Sequence, residues 1–413
     1  MNINRAYRMV VGASLVTVMA WISAAEIRDA DACTSAVVAP AGSATGTPIL
    51  WKNRDTSNVS NKVIYVDEEP FAYLCLANAS TGSGRSCFAG LNESGFAIIN
   101  TVAYNVPSLS SESEDHEGII QADALRTCRT VEDFERYIEA NLGPELGART
   151  NIGVMDAEGG AAIYEVHNHG FKRIDAADQP TGYLVNTNFA RSGEEGEGEG
   201  YIRFKRASEL FRTFEAGGVD PEVILHRFSR DLGHPLVNSV GVNEVAALQS
   251  RPPVWINTRD RINRPSTASA VVIVGGNEQR PATMWVIPGE PVTAAAIPLW
   301  VEAGRSPAAF YEGEEAPLWK ESLRIKRALR PLEIGHIGDY LDLTRLVNAD
   351  GTGYLPDLLS LEQSIFVDTA AFLAGRPQPD ALAAFQEQVT ARVLEHLRLI
   401  VIEGEPPHGY GGQ

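Results

Sequence analysis

The chain of 413 residues is short of several things, and each shortage excludes a class of protein. It is short of positive charge: 35 Lys and Arg face 53 Asp and Glu, for a formal net charge of −18. A nucleic-acid or anionic-membrane binder held by bulk electrostatics needs a basic footprint, so no nucleic-acid partner is expected. Its 4 cysteines include no CxxC pair, too few for a disulfide-built scaffold and wrongly spaced for structural zinc. Past Ala24 no apolar run approaches the roughly 20 residues of a membrane span. There is no internal repeat. The one low-complexity segment, Ser192 to Gly200, has the glycines and like charges of a mobile, solvated loop. What is there is ordinary globular composition, 44% hydrophobic and 21% charged.

Arg5 and Arg8 precede the apolar run Met9 to Ala24, which reads as a secretory signal peptide, so the protein is expected to be exported, periplasmic or secreted. Cleavage after Ala25 would leave residues 26–32 as a short propeptide or linker. A second small-x-small site, Ala30-Asp31-Ala32, lies directly before Cys33. Signal peptidase, or self-removal of the propeptide, would therefore make Cys33 the first residue. The competing reading is a lipoprotein cysteine, but Ala30 and the charged Asp31 stand where its recognition box needs an aliphatic and a small residue. Removing residues 1–32 takes away Arg5, Arg8 and Arg28 together with Glu26, Asp29 and Asp31, so the net charge is unchanged.

Short strands are expected at 34–39 and 49–55 around a Pro/Gly turn, then at 62–66, 72–76, 96–102, 153–155, 161–166 and 184–185. Turns fall at Asp156 to Gly160 and His167 to Gly170. Helical spacing appears at 118–126 and 130–141, the second opening on Thr130 followed by Glu132 and Asp133. Beyond about residue 300, segments 316–329, 358–373 and 380–402 read as amphipathic helices, and the tail from Glu403 reads as disordered. Strands in runs and helices in runs point to an α+β layered fold.

A cysteine at position one of a mature chain has a chemical option no internal cysteine has: its own α-amine can serve as the base for its thiol. The thiol attacks a carbonyl, the amine returns the proton to the leaving group, and water resolves the acyl-enzyme. Such a site still needs oxyanion donors and a group to orient the amine.

Cys33-Thr34-Ser35, followed by Trp51-Lys52-Asn53-Arg54-Asp55, resembles the opening of the N-terminal nucleophile hydrolases of the choloylglycine hydrolase and penicillin acyltransferase group. The likeness continues through Gly90 to Phe96, Ile99-Asn100-Thr101, Asn151 to Glu165, Leu184 to Phe189 and Ile202 to Ala207, in the family's order and spacing. It implies a four-layer αββα sandwich of two antiparallel sheets over residues 33–303, with a helical extension over 304–403 packed on that core and a tail at 404–413. It also implies that Cys33 is nucleophile and base, that Asp55 holds the new α-amine, that Asn188 with Asn100 donates to the oxyanion, and that Arg203 stands beside the nucleophile. Lys52 occupies a place where the family carries Arg, so it keeps the charge but loses the fork. Strand alternation turns Lys52 and Arg54 the same way, opposite to Asn53 and Asp55, so Arg54 is a candidate substitute.

Cys75 and Cys87 flank a Gly/Ser turn and are candidates for an exported disulfide, with Cys128 left as a buried thiol. His167 and His169 lie at a Gly-closed turn without nearby ligands in sequence and read as surface residues, so no metal or other cofactor is expected. The basic run Lys320, Arg324, Lys326, Arg327 and Arg330 reads as a solvated helix face. The leading expectation is a linear-amide C–N hydrolase acting on a small N-acyl amide. Acyl transfer to an amine, a non-catalytic exported or lipid-anchored binding protein, and a homo-oligomer all stay open. The acyl pocket is sought in segments 71–76, 103–109 and 189–201.

Overall fold

The computed structural model describes residues 32–81, 85–109, 111–214, 217–237, 253–330, 338–347 and 353–402. The leader and the C-terminal tail read from the sequence lie outside these residues. Thr34–Val38 (β1) and Ile49–Asp55 (β2) form an antiparallel hairpin, with Thr34 opposite Asn53 and Val38 opposite Ile49. Both strands are buried on both faces, as a central hairpin must be.

Seven strands follow: β3 (Asn61–Val66), β4 (Tyr73–Asn78), β5 (Ala89–Asn92), β6 (Ala97–Val102), β7 (Arg149–Met155), β8 (Ala161–His167) and β9 (Gly170–Asp175). They make an antiparallel sheet in which neighbours in sequence are neighbours in space. The other large sheet has six strands in the order β10-β1-β2-β12-β13-β14, adding β10 (Tyr183–Asn186), β12 (Thr267–Val274), β13 (Thr283–Pro288) and β14 (Ile297–Leu299). A small separate pair joins β11 (Trp255–Asn257) to β15 (Tyr340–Asp342).

Period-two patterning decides which side chains each layer sees. Leu74, Leu76, Ile99, Met155 and Ile163 pack with Val37 and Leu50 of the six-stranded sheet. Their alternates Cys75, Ile98, Val154, Ala162 and Tyr164 form a second core with helices α1 (Glu117–Thr127) and α2 (Val131–Asn141). A capping box of Thr130 and Asp133 starts α2. The sheets approach so closely that a Cβ on Gly153 would lie 2.8 Å from Val37 Cγ2. On the far face of the six-stranded sheet Trp51 stacks on Phe211 of α3 (Tyr201–Phe211), and Trp285 meets Phe366 edge-on. The molecule is thus an α+β stack of helices, sheet, sheet and helices.

Helices Pro317–Leu329, Leu355–Ala374 and Pro379–Leu399 share the core with the sheets, and the described residues fall in one compact unit. The basic helix is not a solvated face. Lys326 and Arg330 are buried against Glu290, and Arg324 donates to the carbonyls of Leu397 and Ile400, so only Lys320 and Arg327 face solvent. The reason is that the helix packs across the end of another helix and against a buried carboxylate. No helix among the described residues is long and apolar enough to cross a membrane.

Candidate active site

Cys33 immediately precedes β1, at the end of the hairpin where β2 finishes with Asp55. Its side chain is buried, and Sγ lies 3.8 Å from the Asp55 carbonyl oxygen. Arg203 comes in from α3, where Nη1 donates to the Cys33 carbonyl at 2.6 Å and to Thr34 Oγ1 at 3.0 Å, and Nη2 donates to Asn188 Oδ1 at 2.7 Å. The start of α3 makes room for this guanidinium. Gly200 has φ 81°, and a Cβ there would sit 2.6 Å from Arg203 Nη2. Asn188 Nδ2 donates to the Val102 carbonyl at 3.0 Å, which ties the segment after β10 to the end of β6.

The Asp55 carboxylate is wholly buried. Oδ1 accepts from Thr267 Oγ1 at 2.6 Å, and that hydroxyl accepts from the Arg264 N–H at 3.0 Å. Oδ2 has no hydrogen-bond partner among the described residues and faces Arg264 Nε at 3.9 Å. Burial pushes the Asp55 carboxyl up to about 6, against the opposing pull of Arg264, Arg203, Thr267 and Lys326. Burial, reinforced by Arg264, pushes Arg203 down to about 10, while Asp55 and Cys33 act to raise it, so it stays charged at neutral pH.

Lys52 and Arg54 do share a face, but their partners differ. Lys52 Nζ donates to the Phe88 carbonyl and to Asn100 Oδ1, both at 2.7 Å. Arg54 donates to Asn61 Oδ1 at 2.7 Å and Asn78 Oδ1 at 2.6 Å, with its guanidinium 4.1 Å from the Phe88 ring centroid. Arg54 thus reaches the ends of β3 and β4, while Lys52 reaches Phe88 and Asn100. Asn100 Nδ2 reaches Thr150 Oγ1 at 3.5 Å.

Arg264, Thr267 and Lys326 carry no signal in the sequence motifs. Arg264 and Thr267 meet Asp55 because β12 pairs with β2, with Thr267 opposite an Asp55 that is 212 residues away in the chain, and Lys326 reaches the same turn from helix Pro317–Leu329 by donating to the Thr267 carbonyl. Two of the three segments proposed for the pocket pack together: Asn105 Nδ2 donates to the Ala190 carbonyl, and Glu194 N–H to the Asn105 carbonyl. The third, 71–76, is not a loop but runs into β4, whose apolar residues pair with β3 and β5. An open cleft of about 730 Å³, lined by Ser57, Asn58, Ser60, Lys62, Ser80 and Glu315, lies just past the end of β2. A smaller cavity of about 120 Å³, by Thr47, Val274 and Phe366, lies at the opposite end of the β2–β12 pair.

Cys75 and Cys87 are joined as a disulfide with Cα atoms 5.4 Å apart. The Cys128 thiol is buried and pushed up to about 12 by that burial. His169 Nε2 meets Glu112 Oε1 at 2.5 Å, a carboxylate brought to the turn from 57 residues away. Among the described residues no group of three or more His, Cys, Asp or Glu is placed to hold a metal ion.

The model of the acyl-coenzyme A:6-aminopenicillanic acid acyl-transferase family matches residues 43–209. That stretch begins just past Cys33 and contains Lys52, Asp55, Asn100, Asn188 and Arg203, so the likeness to the N-terminal nucleophile hydrolase group rests on a match of its own. No curated protein matches the chain. Among solved structures it is similar to penicillin V acylase from Agrobacterium tumefaciens at 15% identity, covering 65% of this chain and 86% of that one, with TM-score 0.37. The Caenorhabditis elegans ortholog of N-acylethanolamine-hydrolyzing acid amidase gives 14%, 60%, 94% and 0.36 in the same order. A variant of conjugated bile acid hydrolase from Clostridium perfringens gives 11%, 62%, 89% and 0.35.

Proposed function

We propose, for a chain whose residues 43–209 match that acyl-transferase family, an exported cysteine N-terminal nucleophile hydrolase that cleaves a linear, non-peptide C–N amide. The observation that carries this reading is the buried Asp55 Oδ2, an anionic atom without a hydrogen-bond partner among the described residues, at the strand end where Cys33 lies. Cutting the peptide bond before Cys33 frees an α-amine whose N–H can donate to such an atom. The freed amine then takes the thiol proton, the thiolate attacks the amide carbonyl, and the amine hands the proton to the departing nitrogen. Water hydrolyses the thioester and regenerates the thiol. Asn188 donates to the oxyanion with Asn100 beside Lys52. Arg203, which donates hydrogen bonds to the Cys33 carbonyl and to Thr34 Oγ1, offsets the negative charge that develops.

The substrate class is a small N-acyl amide, of the kind found in bile-salt conjugates, penicillins and N-acyl amino acids. The test is intact mass, N-terminal sequencing and turnover of a chromogenic acyl amide. The expected result is a chain that starts at Cys33, and a Cys33→Ala variant that folds but loses turnover by at least ~1,000-fold. A chain starting at Glu26 with full activity would overturn the reading. The family's description favours one second reading, transfer of the acyl group to an amine acceptor. Acyl-amine product exceeding free acid at millimolar acceptor would select it.

A further inference from the structure

Arg264 lies well beyond the segment that matches the acyl-transferase family, yet it is the nearest cation to the Asp55 carboxylate among the described ion pairs. The turn from Arg264 to Thr267 brackets that carboxylate. Its Thr267 hydroxyl binds Oδ1 and its guanidinium faces Oδ2 at 3.9 Å, close enough for an ion pair and too long for a hydrogen bond. Arg264 Nε and Asp55 Oδ2 are both buried and without a hydrogen bond among the described residues. The second cation acting on Asp55 is Arg203 of α3, bonded to the Cys33 carbonyl. Lys326 stands behind Thr267, donating to its carbonyl at 3.0 Å and sharing Glu290 at 3.6 Å. Asp260 acts on Arg203 from the loop before β12, and Lys52 occupies the opposite face of β2. One buried carboxylate is thus set among more positive than negative charge.

We propose that Arg264 is a positioning residue for the nucleophile, holding Asp55 as a carboxylate and, with Arg203, keeping the freed α-amine of Cys33 available as a neutral base. The proposal rests on the reading of Cys33 as residue one. An amine facing a lone buried carboxylate would be held as the ammonium, which cannot accept the thiol proton. A guanidinium on the other side of that carboxylate offsets the pull, and it also offsets the burial that drives Asp55 toward its neutral form.

The experiment is the pH profile of kcat/KM for the mature enzyme, its Arg264→Gln variant and its Arg264→Lys variant, each with N-terminal sequencing and a melting curve. Without the cation both Asp55 and the amine bind protons more tightly, so the acid limb of Arg264→Gln moves up by about one pH unit. Arg264→Lys keeps the charge and keeps the limb near its original position. A folded Arg264→Gln enzyme starting at Cys33, whose rate falls equally at all pH with the limb unmoved, overturns the proposal, because that is the signature of a merely structural role. If Arg264→Gln does not fold, Arg264→Lys decides: an acid limb displaced by a full unit despite the retained charge overturns it. A chain that does not begin at Cys33 overturns the underlying reading instead, and the sequencing step shows which has failed.

Discussion

Asp55 carries a load that a cut ahead of Cys33 would relieve. In the uncut chain its folded pKa is raised from 3.8 to about 6, mainly by burial, so it contributes stability that is complete below pH ~4 and lost as pH rises through ~6. That is worth about 3 kcal/mol across the window. Urea denaturation of an uncut Cys33→Ala chain should therefore lose about that much more stability between pH 4 and 7 than the same chain carrying Asp55→Asn. Equal losses in the two chains would show that the carboxylate is not strained by burial. Cys33, Asp55, Asn188 and Arg203 are picked out in the sequence by short motifs that resemble those of a known family, and the structure brings Arg203 to both Cys33 and Asn188. Arg264 and Thr267 are not legible in this way, since nothing local says that β12 will lie against β2. The partner of Arg54 is illegible for the same reason. Alternation gives its face, but only the pairing of β3 with β4 brings Asn61 and Asn78 to it.

At the scale of elements, the segment from β10 to α3 carries Asn188 at one end and Arg203 at the other, with the acidic glycine-rich stretch between them. Beside the Asn105 contacts, its base is anchored by a buried carboxylate. Glu165 of β8, fully buried, accepts from the Arg191 N–H at 2.5 Å, the Ser192 N–H at 2.7 Å and Ser192 Oγ at 2.5 Å. Glu165→Gln puts an NH2 where an acceptor is needed and should cost about 1–3 kcal/mol. It should also lower kcat more than it alters KM, because both Asn188 and Arg203 lose their support. Hydrogen exchange over residues 189–200 should quicken by at least ~10-fold, and unchanged protection there would remove Glu165 as the anchor. The elements that read most plainly from sequence have local signatures, such as the Thr130–Asp133 capping box and the alternating strands of the seven-stranded sheet. The run Thr267–Val274 offers no alternation because both its faces are covered, and β13 is buried throughout in the same way.

For the whole molecule, the net charge of −18 describes the chain as a solvent sees it, while several cations are drawn inside to hold the layers together. Arg230 joins the segment before β11 to helix Leu355–Ala374 through Glu362, with Nη1 at 2.9 Å and Nη2 at 2.7 Å from the two carboxylate oxygens. The remaining N–H groups of Arg230 go to the carbonyls of Leu225, Pro291 and Ala294, and Glu362 also takes the Ala296 N–H and His226 Nδ1. Three stretches of chain meet at this pair. Burial alone would raise the Glu362 carboxyl, but Arg230, His226 and the Ala296 amide outweigh it and hold it below the ordinary value. Its contribution is therefore present above the unfolded value near 4.5 and is lost as pH falls through the lower folded value, opposite in sign to Asp55. Glu362→Gln strands a buried guanidinium and should cost about 3–5 kcal/mol by urea denaturation at pH 7. The paired replacement Arg230→Met with Glu362→Leu removes both charges and should recover most of that loss, since two apolar groups leave no orphaned ion. If the double variant is as unstable as Glu362→Gln, the backbone carbonyls that Arg230 satisfies, rather than the ion pair, hold the C-terminal helices to the sheet.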